Sequence, residues 1–466
     1  MSDLRLQFHG AAQTVTGSMH LLHKDGRTVV LDCGLYQGRR ADARNRNANL
    51  PVPVSQIEAV ILSHSHIDHS GNLPLLVKKG YRGPIYATPA TRDLCAVMLM
   101  DAAHIQEEDA RFYNKRAKRR GSKDRIEPHY TQDDATEAIK LFRTVSYSRP
   151  FQITNWLRAQ FEDAGHILGS AWVWCQIKDG KKEHRLIFSG DIGRKNLPIL
   201  RDPSPLQECD YVICESTYGG RYHENPTDMK AQLGEIIGEA VRGKGKIIVP
   251  AFSVGRTQTL VYFLHQLMDE EVVPEVPVYV DSPLSTNVTE VFRMHPECYD
   301  QEARDIWREG GHVFGADRYH YIRNVRESKQ LNRREKPCVI ISASGMCESG
   351  RILHHLRNNL GSKKNTILIV GYQAAHTLGR RLVEGDTPVR IFGELHKVRA
   401  RVVTLNGMSS HADAADLREI LLPLGSKAKH CWLVHGEPRQ SDALAADLQD
   451  SFSAVTVPAP GDEFKL

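Results

Sequence analysis

The chain has 466 residues, of which 41% are hydrophobic and 25% are charged, and its formal net charge is +5. This length predicts two or three domains, and no uncharged apolar run is long enough to cross a membrane. The nine cysteines show no C-x-x-C spacing, which favours reduced thiols over a disulfide framework and leads us to expect a cytoplasmic protein. The modest positive charge permits an anionic partner without identifying one.

The first sixty residues predict a β-meander that leads into a buried strand. Apolar and polar residues alternate, Asp25-Gly26 is typical of a hairpin turn, and a basic, Asn-rich loop is expected over residues 39–49. The predicted strands cover residues 4–8, 18–22, 28–31 and 57–62.

A long helix is predicted over residues 89–120, after a short strand at residues 85–88. Five of its last six residues, 115–120, are lysine or arginine. Because the helix dipole favours cations at a C-terminus, this run is either a solvated helix end or a surface that contacts phosphates.

The rest of the chain shows two alternating patterns. Strands are predicted from residue 151 to residue 191, and strands alternate with helices after Glu215, which indicates an α/β domain with a mostly parallel sheet. Near Arg399 the β pattern resumes. We therefore predict one domain formed by residues 1–208 and 400–466, with a second domain inserted at residues 209–399.

A cluster of potential metal ligands follows the predicted strand at residues 57–62. His64, His66, Asp68 and His69 place three imidazoles and a carboxylate within six residues, on a loop at a strand end. Histidine nitrogen and aspartate oxygen are ligands that Zn2+ prefers, and four so close together favour two ions over one. A solvated, His-rich turn is the alternative.

Three further candidate ligands lie at predicted strand ends. His166, Asp191 and His435 each follow an apolar run and adjoin a glycine, which lets the backbone turn tightly beside a metal. A single residue of this kind is more often a capping or hydrogen-bonded polar group. The existing four-residue cluster favours the metal interpretation.

The motifs around these ligands resemble those of a known superfamily. Asp32 in Leu-Asp-Cys-Gly, the cluster from His64 to His69, His166 and Asp191 resemble the four leading motifs of metallo-β-lactamase-fold hydrolases. The resemblance implies a four-layer αββα sandwich.

Three more motifs are similar to those of the β-CASP nucleases, a branch of that superfamily. They contain Glu215 in Glu-Ser-Thr-Tyr-Gly, His411 in Ser-Ser-His-Ala-Asp and His435 in Val-His-Gly-Glu. Residues 250–258 and 342–347 resemble stretches of the inserted α/β β-CASP domain. The chain most resembles bacterial RNA-processing members, which are relatives of the pre-mRNA 3′-end cleavage subunit. DNA-directed members typically carry Val where this chain has His435.

The resemblance implies a di-zinc site between the two domains. One Zn2+ would be held by His64, His66 and His166, a second by Asp68, His69 and His435, with Asp191 bridging both and Asp32 orienting a ligand imidazole. His411 would protonate the leaving oxygen while Glu215 holds it. The alternative for Glu215 and His411 is a buried pair that stabilises the domain interface.

Glycine- and serine-rich loops of the inserted domain are candidates for RNA phosphate contacts, because backbone N–H groups and helix dipoles suit phosphate oxygens. Relatives usually carry Gly where this chain has His376, whose role is left open. The candidate RNA-contacting residues are Ser253, Arg256, Ser342, Ser344, Gly345, Thr377 and Arg380.

The expected function is zinc-dependent hydrolysis of single-stranded RNA, endonucleolytic, leaving 5′-phosphate and 3′-hydroxyl ends. The alternatives are a thioester or lactone hydrolase of the same superfamily, a non-catalytic RNA-binding scaffold and a DNA-repair nuclease. A homodimer is compatible with the sequence. The sequence leaves open the natural transcript, the balance of endo- and exonucleolytic cleavage, and the oligomeric state.

Overall fold

Apolar strands dominate the secondary structure of the N-terminal half. The computed structural model describes residues 3–466 except 39, 123–124, 224–225, 316–317, 372, 375 and 406. The strands are β1 (Arg5–Gly10), β2 (Met19–Lys24), β3 (Arg27–Leu31), β4 (Ile57–Ile61), β5 (Ile85–Ala87), β6 (Phe142–Thr144), β7 (Phe151–Gln152), β8 (Leu157–Asp163), β9 (Ala171–Asp179), β10 (Lys182–Phe188) and β11 (Tyr211–Glu215). The helices are α1 (Arg40–Ala48), α2 (Ile67–Ser70), α3 (Leu73–Lys78), α4 (Pro89–Arg119) and α5 (Gln132–Lys140).

Strands and helices alternate from residue 226 onward. The strands are β12 (Ile247–Pro250), β13 (Val278–Val280), β14 (Tyr319–Tyr321), β15 (Val339–Ser342), β16 (Thr366–Ile369), β17 (Val389–Ile391), β18 (Glu394–His396) and β19 (Arg401–Thr404). The helices are α6 (Pro226–Arg242), α7 (Arg256–Asp269), α8 (Pro283–Met294), α9 (Gln301–Arg308), α10 (Val325–Arg333), α11 (Ile352–Asn359) and α12 (Leu378–Val383). The chain ends with α13 (Ala414–Leu421), β20 (His430–Val434), α14 (Pro438–Leu448), β21 (Val455–Thr456) and β22 (Glu463–Lys465).

The chain divides into two units. The first contains Met1–Lys195, Asp202–Tyr222 and His411–Leu466, and the second contains Asn196–Arg201 and His223–Ser410. Among the described residues of the first unit, two sheets of seven strands form, in the orders β22-β1-β2-β3-β4-β5-β6 and β21-β20-β11-β10-β9-β8-β7. The second unit has a six-stranded sheet in the order β14-β13-β15-β12-β16-β19 and a β17–β18 hairpin.

The first unit is a four-layer sandwich. Leu6 of β1, Phe161 of β8 and Trp432 of β20 belong to one buried cluster, so the two sheets pack face to face. Helices α3, α4 and α5 cover the outer face of one sheet, and α13 and α14 cover the outer face of the other. Each large apolar side chain buried in this way stabilises the fold by about 1.5–3 kcal/mol. The predicted αββα architecture is confirmed.

The second unit is built on parallel pairing. β15 lies between β12 and β13 in register, with Ile340 opposite both Ile248 and Tyr279. Parallel strands are buried on both faces, and all four residues of β12, β15 and β16 are buried. The predicted inserted α/β domain is therefore confirmed.

The boundaries of the units differ from the predicted 209–399 insertion. β11 pairs with β10 and β20 in the first unit, although the prediction assigned it to the insertion. β19 pairs with β16 in the second unit, although residues from 400 onward were expected to belong to the first. Short apolar strands of parallel sheets look alike in sequence, so their pattern does not reveal which sheet they join.

Helix α1 replaces the loop expected over residues 39–49. Its sequence is too polar for an apolar periodicity to indicate a helix. Helix α4 ends at Arg119, close to the predicted residue 120, and Thr88 caps its start by accepting a hydrogen bond from the Thr91 N–H. No helix in the described ranges has the length and apolar character needed to span a membrane.

Candidate metal centre

The cluster of candidate ligands extends from the loop after β4 into the short helix α2, in the first unit. His64 and His69 are buried, His66 precedes the first turn of α2, and Asp68 lies within that helix. His166 follows β8, Asp191 follows β10 and His435 follows β20. The described strands therefore bring all seven predicted ligands to one region.

The first potential metal-binding group contains His64, His66, His166 and Asp191. His66 Nδ1 lies 3.1 Å from His64 Nε2 and 3.3 Å from His166 Nε2. Asp191 Oδ2 lies 3.4 Å from His64 Nε2 and 3.5 Å from His166 Nε2. Three imidazoles and one carboxylate oxygen thus converge on one point.

The second group contains Asp68, His69 and His435. His435 Nε2 lies 3.1 Å from His69 Nε2 and 3.5 Å from Asp68 Oδ2. Asp191 Oδ1 is 3.3 Å from His69 Nε2 and 3.5 Å from His435 Nδ1. Asp191 therefore presents one carboxylate oxygen to each group.

These groups fit divalent metal ions. Ligand nitrogens about 2.0–2.1 Å from a tetrahedral Zn2+ are about 3.4 Å apart, which is close to the separations above. Two facing imidazole nitrogens can share a proton, but three cannot satisfy one another in this way. Asp191 Oδ1 is buried and accepts no well-formed hydrogen bond within the described part of the chain. A bound cation would compensate this buried oxygen.

Burial and mutual proximity set the charge states of the ligands. Burial lowers the pKa of His64 well below its ordinary value and that of His66 to about 4, so both imidazoles are neutral. Although burial opposes ionisation of Asp191, the neighbouring His435 and His69 lower the pKa of its carboxyl. Neutral imidazole and ionised carboxylate are the forms that bind metals. His69 differs: although burial opposes protonation, the Asp191 and Asp32 carboxylates raise its pKa, so binding of a cation there would displace a proton.

Asp32 lies behind His69 and has no place in either ligand group. Its Oδ2 is 2.6 Å from His69 Nδ1, and it also accepts hydrogen bonds from Ser63 N, Ser63 Oγ and Ser18 Oγ. The backbone of Asp32 has φ +61°, a strained conformation that its hydrogen bonds over-determine. This geometry fixes the orientation of the His69 ring.

His411 lies beside the first ligand group. Its Nδ1 is 3.1 Å and 3.2 Å from the two oxygens of Glu215, which also accepts a 2.6 Å hydrogen bond from Ile192 N. Although burial opposes protonation, the Glu215 carboxylate raises the pKa of His411 to about 9. Glu215 is also close enough to Asp191 and His435 to form a third potential metal-binding group.

Family models match three stretches of the chain. They are a metallo-β-lactamase superfamily domain over residues 21–201, a Beta-Casp domain over 257–382 and a Zn-dependent metallo-hydrolase RNA specificity domain over 395–459. Ribonuclease TTHA0252 of Thermus thermophilus is 35% identical over 95% of both chains. This chain belongs to the β-CASP family of the metallo-β-lactamase superfamily.

Other similarities agree with this family. Transcription termination factor FttA of Methanothermobacter thermautotrophicus is 30% identical over 97% of this chain and 70% of its own length. A crystal structure of an Enterococcus faecalis protein of unknown function aligns over 100% of both chains with 12% identity and a TM-score of 0.56. The latter similarity shows the fold alone.

The predicted RNA-contacting residues of the β-CASP unit lie at or after the ends of β12, β15 and β16. Ser344 Oγ accepts hydrogen bonds from Glu348 N and Ser349 N, and Gly345 packs so closely under Phe252 that a Cβ would lie 2.8 Å from its ring. Arg256 donates to Val370 O and lies over the Phe252 ring. The described strand ends thus bring these loops together.

Other predicted contact residues already have protein partners. Ser342 is 1% exposed and its hydroxyl donates to Asp281 O, which does not fit the predicted RNA contact. Ser253 is 9% exposed. Thr377 caps α12, and Arg380 Nε lies 2.6 Å from Glu384 Oε1, so an RNA phosphate would compete with that ion pair. His376 is exposed and has φ +70°, a conformation that favours glycine.

Two supporting residues of the metal centre were not predicted. Ser63 Oγ lies between Asp32 Oδ2 and His64 Nδ1, at 2.9 Å and 3.0 Å. Thr217 Oγ1 lies 3.1 Å from His435 Nδ1. Ser63 directly precedes His64, and Thr217 lies within the Glu-Ser-Thr-Tyr-Gly motif, so the hydroxyls in and beside these motifs are the sequence signal for both residues.

Proposed function

We propose that this protein is a zinc-dependent ribonuclease that hydrolyses phosphodiester bonds within single-stranded RNA. The observation that carries the proposal is the pair of ligand groups joined by Asp191, with the His411–Glu215 pair beside them. Two cation sites and a held imidazole match the needs of phosphodiester hydrolysis: charge neutralisation, nucleophile activation and protonation of a leaving oxygen.

We assign the seven candidate ligands to two ions. His64, His66 and His166 would hold one ion, Asp68, His69 and His435 the other, and Asp191 would bridge them. Two zinc ions held in this way would supply Lewis-acid stabilisation of the phosphate and a water of lowered pKa. Asp32 and Ser63 restrain the rings of His69 and His64, which limits the reorganisation needed on binding.

His411 is assigned to the leaving group. Attack of water oxygen on phosphorus forms a new P–O bond while the P–O3′ bond breaks, and the departing O3′ takes a proton. Because Glu215 engages Nδ1 of His411, Nε2 is the atom assigned to proton delivery. The products are a 5′-phosphate and a 3′-hydroxyl.

The RNA assignment is supported by family and by residue chemistry. The matched RNA specificity domain spans residues 395–459 and includes both His411 and His435. The relative from Thermus thermophilus is named a ribonuclease. The loops after β12 and β15 offer small residues and backbone N–H groups suited to a phosphate backbone.

The deciding experiment combines metal analysis with a substrate panel. Purified wild-type protein and the Asp191→Asn variant are analysed for zinc, then incubated with labelled single-stranded RNA, matching DNA, a lactone and a thioester. We expect about two zinc ions per wild-type chain and internal cleavage of RNA, with both reduced in the variant. Cleavage of DNA alone or of the small esters alone would support a rival, and a zinc-free folded protein would refute the proposal.

Two further features stay predictions. A homodimer is testable by light scattering coupled to size-exclusion chromatography, and a cytoplasmic location by cell fractionation.

A further inference from the structure

A cavity lies in the first unit, and none of the candidate ligands is among its described lining residues. Its volume is about 380 Å³, within the range of about 300–1,000 Å³ typical of small-molecule sites. Its walls come from the loop after β1, from residues 34–36 with helix α1, and from the turn at residues 460–461. None of its described lining residues is an aspartate or glutamate.

The cavity contains a stacked cation and ring. The Arg46 guanidinium lies 4.5 Å above the centroid of Tyr36, and Asn47 fixes the Tyr36 backbone through hydrogen bonds to its N–H and C=O. Asn72 donates to the same Asn47 side chain at 3.1 Å. The platform is therefore pre-organised, and the outer face of the guanidinium can receive a second planar group.

Polar groups surround this platform. Asn49 Nδ2 donates to the backbone O and to the side-chain Oδ1 of Asn45, which orients the two amides towards each other. Within the described ranges, Asn49 Oδ1 and Asn45 Nδ2 take part in neither of these bonds, and we assign them to a ligand. Thr14, Thr16 and His9 also line the cavity. The described lining of the cavity carries one arginine and no carboxylate. A cation, a planar stack and paired amides suit a nucleotide, with its negative phosphate and its hydrogen-bonding base edge.

The walls of the cavity are bonded to the segments that carry the second ligand group. Ala11 O accepts a 2.6 Å hydrogen bond from His435 N, and Ser18 N donates to Asp68 O at 2.7 Å. Ala11 itself has φ +49° and Gln13 has φ +54°, so this loop keeps a strained backbone next to a metal-binding segment.

We propose that this cavity binds one nucleotide of the RNA strand, with the base stacked on Arg46 and its edge read by Asn45 and Asn49. The inference rests on the proposed ribonuclease function for the identity of the strand. The binding of a nucleotide itself is testable without cleavage.

The first test is calorimetric titration with adenosine 5′-monophosphate, adenosine and inorganic phosphate, on the full chain treated with a chelator. We expect the mononucleotide to bind, Arg46→Ala to weaken it by roughly ten- to a hundredfold, and Arg46→Lys to restore little because an ammonium lacks the planar face. Arg44→Ala is the matched control, since Arg44 is exposed on the same helix but does not line the cavity. Tyr36→Leu tests the platform independently.

The second test measures two quantities. Fluorescence anisotropy gives the affinity of the chelator-treated protein for single-stranded RNA, and steady-state kinetics give the KM of the zinc-loaded protein. We expect Arg46→Ala to lower RNA affinity and raise KM about tenfold while kcat changes less than about twofold. Mononucleotide binding that is absent, or equal in wild type and Arg46→Ala, overturns the cavity assignment. If mononucleotide binding depends on Arg46 but RNA affinity is the same in wild type and Arg46→Ala, the cavity does not bind a nucleotide of the RNA strand. If the wild-type protein binds the nucleotide and RNA but does not cleave RNA, the ribonuclease proposal is refuted instead.

Discussion

Asp32 Oδ2 and His69 Nδ1 are 2.6 Å apart, and both side chains are almost completely buried. The contact orients Nε2 of His69 towards His435 and Asp191. A carboxylate behind a ligand imidazole raises its basicity and fixes its tautomer, so its loss commonly lowers metal affinity or activity 10–100-fold.

We therefore expect Asp32→Asn to lower the affinity of the second group for its ion by about 10–100-fold and to leave the affinity of the first group unchanged. Zinc retention measured against a series of chelators reports the two affinities separately. Asp25→Asn, in the exposed β2–β3 turn, is the matched control. Equal weakening of both ions would show that Asp32 supports the whole loop rather than His69.

His411→Ala should reduce RNA cleavage by about 10²–10⁴-fold, the usual contribution of general acid catalysis. Zinc content and RNA affinity should change little, because His411 belongs to neither predicted ligand set. Single-turnover kinetics with metal analysis is the measurement. Loss of zinc in the variant would make His411 a ligand and contradict the assignment. Glu215→Gln should show a smaller loss of the same kind.

His435→Ala should release one ion selectively and abolish most cleavage, because the group of His64, His66, His166 and Asp191 remains whole. The backbone at His435 has φ +49°, so alanine keeps a backbone strain that is unrelated to ligation. His435→Gly removes the imidazole without that strain and separates the two effects. If either variant keeps two ions and near-normal cleavage, the ligand role fails, and with it one argument for RNA over DNA.

The proximity of the seven candidate ligands was predictable because their signal is local: four potential ligands within six residues after an apolar strand, and three more beside glycines. The assignment of strands to sheets was harder to predict from the sequence. β11 and β19 have similar apolar patterns but belong to different units, and only their pairing partners decide this. The Tyr36–Arg46 stack escaped prediction because α1 carries no apolar periodicity and its partner lies ten residues earlier, outside the helix.

Removing charge from the exposed end of α4 should reduce the salt dependence of RNA binding. Each phosphate contact to a single strand contributes about −0.7 to the slope of log K against log salt concentration. We expect Lys118→Gln, Arg119→Gln and Arg120→Gln together to reduce the magnitude of this negative slope by roughly one to two. Lys140→Gln, on α5 and already paired with Glu137, is the control. An unchanged slope would favour the solvated helix end.

The second unit should lose stability at low pH through Asp281. This buried carboxylate contacts His355 Nε2 and Arg351 Nη1 at 2.6 Å and Ser328 Oγ at 2.5 Å. Although burial opposes ionisation, these hydrogen bonds lower the pKa of Asp281 below its value of about 3.9 in an unfolded chain. The stabilisation is therefore complete above about pH 5 and is lost as the pH falls below 4.

Hydrogen exchange of β13 and β15 at pH 7, 5 and 3.5 tests this expectation. The amides of β13 and β15 should exchange faster in Asp281→Asn than in wild type at pH 7, because their opening free energy is lower by about 1–3 kcal/mol. This difference in opening free energy should shrink at pH 3.5. A difference that is constant across pH would assign the effect to packing.

Helix α4 also sets a length scale. Thr88, which caps α4, and Thr91 in its first turn both donate to Gly169 O, three residues after the candidate ligand His166. The helix runs for 31 residues from this point. At 1.5 Å per residue, its basic end lies about 45 Å from its start. A strand cut at the metal centre would need about a dozen stacked nucleotides, at about 3.4 Å each, to reach that end. Shorter oligonucleotides would not reach the basic end of α4, so those residues would not contribute to the salt dependence of their cleavage. The measured salt dependence would therefore increase with substrate length.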